Sequence, residues 1–111
     1  MRSLSDEDQV ALRSRLTDIS AEFPVTVADF VDHIDHAGEG MGLDHGAISS
    51  DFDGGGGVDG WDDALETFNV TLELVKRGYT EDQIAQLWSG NTLRILREAE
   101  RVAAEIQASG L

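Results

Sequence analysis

Apolar residues recur at helical spacing along most of this chain. Val10, Leu12, Leu16 and Ile19, with charges between them, predict an amphipathic helix that Ser5 caps, with Glu7 and Asp8 in its first turn. It should stop near Phe23 and Pro24. Thr26 can start a second helix with the face Val27, Phe30, Val31, Ile34 and Ala37, which Gly38, Gly40 and Gly42 then weaken. Ala64, Leu65, Phe68, Leu72, Leu74 and Val75 predict a third, closed by Lys76, Arg77 and Gly78. Thr80 to Gln83 reads as a capping box opening a short helix through Leu87 and Trp88. Gly90 should end that helix and Asn91 cap a long last one through Ile106. Phe30, Ile34, Leu72, Leu87, Leu93 and Leu96 are expected to form a partial core.

One segment departs from this rhythm. The short apolar run from Gly46 to Ser50 reads as a strand, and it ends abruptly in Asp51, Phe52 and Asp53, followed by a loop to residue 62 that contains Gly54 to Gly57 and Gly60. In α/β barrels a buried strand delivers catalytic groups at its C-terminal end, so Asp51 is the leading candidate for chemistry. The chain has 111 residues, whereas a whole barrel takes about 250. The expected fold class is therefore α/β: a C-terminal fragment of a TIM (β/α)8 barrel, mostly helical, with about one parallel barrel strand. A lone strand leaves backbone donors and acceptors unpaired, so the chain should be marginal alone, with a sticky edge, a mobile 51–62 loop and a tendency to self-associate.

Charge narrows the partners. With 22 acidic against 8 basic side chains, the net charge is -14, which argues against nucleic acid and anionic membrane surfaces. The absence of cysteine excludes disulfides, thiolate metal sites and cysteine nucleophiles. Neither a secretion signal nor a lipid-anchor tail is visible and no membrane segment is expected. The expected location is cytoplasmic, with the reservation that a fragment could have lost an N-terminal signal. Asp51, Asp53, Gly56, Asp59 and Asp62 fall on positions 1, 3, 6, 9 and 12 of a calcium-loop template. Gly55 at position 5 and Asp rather than Glu at position 12 weaken that match. Trp61 and Trp88 are expected to pack rather than to bind a ligand.

The motifs themselves are recognisable. Val27 to His36 (Val-Ala-Asp-Phe-Val-Asp-His-Ile-Asp-His), Gly42 to His45, Ser50-Asp-Phe-Asp-Gly54, Gly78 to Ala85 and Gly90-Asn-Thr-Leu-Arg-Ile-Leu96 closely resemble the C-terminal portion of the membrane (renal-type) dipeptidases. These are zinc-dependent barrel metallopeptidases of amidohydrolase type. The resemblance runs from about Val25 to Arg97 and implies three parts: a variable helix or insertion over 1–24, the barrel portion over 25–97 and a helical tail over 98–111. It implies a dipeptide substrate and a binuclear zinc centre beside Asp51. Asp51 would handle the proton of the metal-bound hydroxide and pass it to the leaving amine. Asp53 would order the loop.

The family's zinc ligands correspond to positions upstream of Met1, so no metal ligand is assigned in this chain and the fragment alone should be inactive. His33 and His36 match the helix before the last strand, outside the barrel, where structural hydrogen bonding is expected rather than ligation. His45 matches the barrel bottom. The alternative reading is a small acidic helical binding module without enzymatic activity that holds calcium through the 51–62 loop.

Overall fold

The computed structural model describes residues 5–110. The expected helices form, and their capping follows the local sequence. Helix α1 (Asp6–Glu22) begins where the Ser5 hydroxyl accepts from the Asp8 amide. Helix α2 (Val27–Met41) opens on a reciprocal capping box between Thr26 and Asp29 and runs through Gly38 and Gly40 to Gly42, whose φ of 88° ends it. A short 3-10 turn, Leu43–His45, follows. Another, Ala64–Glu66, leads into α3 (Thr67–Lys76), closed at Gly78 with φ 87°.

Beyond α3 the expected break at Gly90 does not occur. Helix α4 (Glu81–Ala85), opened by the Thr80–Gln83 capping box, passes through one π turn (Gln86–Gly90) into α5 (Asn91–Ala108). Ala85, Gln86, Gly90 and Asn91 all keep right-handed helical dihedrals. Asn91 is therefore not a cap. Its backbone N–H reaches back to the Gln86 carbonyl, five residues away, instead of to Leu87. Gly90 suits this wide turn because a Cβ there would stand 3.3 Å from the Ala85 carbonyl oxygen.

The expected parallel barrel strand is also absent. Gly46 is extended (φ -90°, ψ 144°), but the run from Gly46 to Ser50 joins no ladder, and among the described residues the only β pairings are isolated bridges, Thr26 with Asp59 and Val58 with Trp61. A strand is defined by its neighbour, and here none lies alongside. Instead the Ile48 N–H donates to the Leu87 carbonyl (2.9 Å), the very acceptor that the π turn releases from its α-helical partner. The described chain is mostly helical.

The core consists of Val31 from α2, Val70 and Leu74 from α3, Leu87 from the π turn, Ile48 and Trp61. Phe30 and Ile34 pack against it as expected, but Leu72, Leu93 and Leu96 stay exposed. Their helices meet too few partners to bury a second face. Helix α1 buries no residue at all, and the apolar stripe of α5, Ile95, Val102 and Ile106, is open. No helix of the described residues is long and apolar enough to cross a membrane.

Candidate active site

Asp51 lies at the end of the 46–50 run, exposed, where the chain turns back on it. Its carbonyl accepts from the amides of Gly54 (3.0 Å) and Gly56 (2.9 Å), which closes a tight loop around the residue. Asp53 stands inside that loop with φ 65°, a left-handed conformation that Asp tolerates better than most side chains. At Gly56 no side chain fits: a Cβ would come within 2.7 Å of the Asp51 Cβ and 3.0 Å of its backbone.

Aromatic rings form the floor beneath this loop. Trp61 is 4% exposed and meets Phe30, Phe52 and Trp88 edge to face, with centroids 5.0, 5.4 and 6.1 Å away. Such edge contacts place the positive ring rim on a neighbour's negative face. Each indole N–H is also satisfied, Trp61 donating to the Thr67 hydroxyl (3.2 Å) and Trp88 to that of Thr71 (3.0 Å). Both tryptophans therefore act as packing residues, as their sequence context suggested. Between floor and loop lies a shallow cavity of about 160 Å³ lined by Phe30, Ser49, Asp51, Phe52, Gly56 and Trp61.

The other acids of the loop do not gather around Asp51. Asp59 is committed through its backbone, donating to the Val25 carbonyl (2.8 Å) and accepting from the Val27 amide (3.2 Å). The Asp62 amide donates to the Glu66 carboxylate (2.8 Å). Among the described residues no three His, Asp or Glu side chains converge in a way that could hold a metal ion. The loop closes on backbone bonds to the Asp51 carbonyl.

The histidines differ from expectation. His33, His36 and His45 are all exposed, and their side chains make no hydrogen bond among the described residues. What the His-Asp pattern of α2 supplies is its acids. Arg77 Nη1 donates to Asp32 and to Asp35 (2.6 Å each), its Nε to Glu73 (2.9 Å) and its Nη2 to the Ala28 carbonyl (2.8 Å). Tyr79 completes the group by donating its hydroxyl to Asp35 (2.5 Å). Burial would raise the Asp35 carboxyl, but hydrogen bonds from Tyr79 and Arg77 outweigh it and hold the group below its usual range. Burial, and then the bond to Asp35, push the Tyr79 hydroxyl up to about 12. This lock fastens α2 to the end of α3.

A second set of contacts holds the segment that leads into the 46–50 run. The Asn91 side chain is 3% exposed and donates both amide hydrogens, to the carbonyls of Leu43 and Gly46 (2.8 Å each). Arg94 adds a bond to the Asp44 carbonyl (2.5 Å). Asn is a good helix cap, and that local preference concealed its long-range role. The signal that could have exposed it was the fully helical pattern on both sides of Gly90.

Known proteins share this segment. The model of the membrane dipeptidase family (peptidase family M19) matches residues 9–110, and the chain belongs to that family. Dipeptidase tcpJ of Claviceps purpurea is 39% identical over 80 residues, which are 71% of this chain and 19% of the relative. Dipeptidase ataJ of Aspergillus terreus is 41% identical over 81 residues, 72% of this chain and 20% of the relative. Among solved structures, the probable dipeptidase PvdM from Pseudomonas aeruginosa is similar with a TM-score of 0.67 and 46% identity, over 82% of this chain and 23% of that one. The chain thus spans about a fifth of the length of the curated relatives it matches.

Proposed function

We propose that this chain is the C-terminal part of a dipeptidase barrel and that Asp51 is its reacting carboxylate. The observation that carries this reading is the placement of Asp51. It stands free at the end of the 46–50 run, its backbone fixed by Gly54 and Gly56 and its carboxylate beside an open cavity. There the carboxylate accepts a proton from the attacking water and returns it to the leaving amine of a dipeptide. The family's zinc pair does not fit the described residues, since no ligand set converges and the α2 acids are engaged by Arg77. Metal ligands would come from elsewhere in a complete enzyme, and this chain alone is inactive.

The division into 1–24, 25–97 and 98–111 belongs to the same proposal. Packing speaks only for its first boundary: α1 buries nothing, whereas exposure at the other end begins at residue 92 and α5 (Asn91–Ala108) crosses from 97 to 98 unbroken.

Complementation tests the reading. The Pseudomonas dipeptidase with its matching segment removed is mixed with this chain, and dipeptide hydrolysis is followed with zinc present. Hydrolysis is expected from the mixture, not from either part, and it should vanish with Asp51→Asn. Zinc-dependent hydrolysis by the pure chain, or full activity of the mixture with Asp51→Asn, would sink the proposal.

A further inference from the structure

We propose that Asn91 is a positioning residue for Asp51, acting through the π turn. This rests on the reading of Asp51 as the reacting carboxylate. Asn91 is the one buried polar side chain among the described residues, and its two donors are both spent on backbone carbonyls, at Leu43 and Gly46. Those carbonyls begin the run that leads to Asp51. A buried amide gains little net stability from such bonds compared with an apolar side chain of the same shape, but it fixes where the backbone lies.

The π turn makes this arrangement possible. By sending the Asn91 N–H to Gln86, it frees the Leu87 carbonyl to accept from Ile48 two residues beyond Gly46. Leu43, Gly46 and Ile48 are thereby tied to a single helical turn at three points. The helix does what a neighbouring strand would do in a sheet: it sets the register of the run and the position of the acid at its end. Asp51 is three residues beyond Ile48, and the loop bonds from Gly54 and Gly56 hold its carbonyl from the other side.

Native-state hydrogen exchange on the 111-residue chain tests this with Asn91→Ala, Asn91→Ser and Val70→Ala. In Asn91→Ala the amides of Ile48, Gly54 and Gly56 should lose about tenfold more protection than those of α3, in line with one or two lost bonds. Asn91→Ser keeps one donor and should recover part of that loss. Val70→Ala removes core volume and should lower protection throughout. Should Asn91→Ala fail to fold, Asn91→Ser is judged by the same contrast against Val70→Ala. A uniform loss in the Asn91 variants, or the same selective loss in Val70→Ala, overturns the positioning role. Exchange does not depend on hydrolysis, so full activity of the complemented mixture with Asp51→Asn refutes the role of Asp51 without altering this pattern, and a uniform loss beside complementation that Asp51→Asn abolishes refutes Asn91 alone.

Discussion

At Gly56 the loop approaches Asp51 so closely that glycine is required by space alone, whereas at Gly54 the nearest atoms are the tips of the Asp51 carboxylate, which can swing aside. The two positions therefore make a controlled pair. Gly56→Ala is expected to destabilise the chain by about 1–3 kcal/mol, as overpacking does, and Gly54→Ala by clearly less. Thermal denaturation of the two variants ranks them, and equal losses would show that the loop yields as a whole. At this scale the sequence was readable wherever a residue acts on its near neighbours. Ser5, Thr26 and Thr80 bond amides three residues on, and their spacing announces it. Asp51 was legible because a short apolar run stops at it. Asn91 was not, because the choice between cap and helix interior is settled by carbonyls 45 and 48 residues away.

Between elements, the join of α2 to α3 depends on titratable groups. Arg77 stays charged throughout, because the carboxylates of Asp32, Asp35 and Glu73 raise its value further. Asp35 is held low in the folded chain, so its contribution is complete above the ordinary carboxylate value and fades as pH falls through the lowered one. Tyr79 runs the other way. Its hydroxyl moves from 10.0 to about 12, so its contribution is complete below pH 10 and is lost as pH rises toward 12. Tyr79→Phe is expected to cost about 1 kcal/mol at neutral pH and to flatten the alkaline arm of the stability profile. Urea unfolding at pH 8, 10 and 11.5 measures both, and an unchanged alkaline arm would mean that Tyr79 does not couple to folding. Only the Glu73 contact, four residues before Arg77, has a local spacing; the contacts to α2 were not visible in the sequence. Their partners are 42 to 49 residues apart, beyond any local pattern. The π turn was equally hidden, since Gly90 signals an end to a helix as readily as a wide turn within one.

Over the whole molecule the helices do not close on one another. The radius of gyration is 19.5 Å, against about 13 Å for a compact domain of this length. The open apolar stripe of α5, with the scattered exposed apolar residues of α1, would promote self-association, and the net charge of -14 opposes it. Salt screens that repulsion, so sedimentation should show monomer at low ionic strength and larger species at about 0.5 M salt. A monomer at both, at high protein concentration, would rule out the sticky-surface expectation. The π turn has a last consequence, in the arithmetic of the chain. Each residue of an ordinary α-helix advances about 100° around the axis, so an extra residue in regular winding would turn everything after it by that angle. The wide turn is equivalent to a one-residue insertion that the helix absorbed without breaking. A one-residue deletion there would restore ordinary winding and leave Asn91 facing Leu43 and Gly46, but no helical carbonyl would then be free for the Ile48 N–H. Length, and not only identity, is therefore constrained between Thr80 and Asn91.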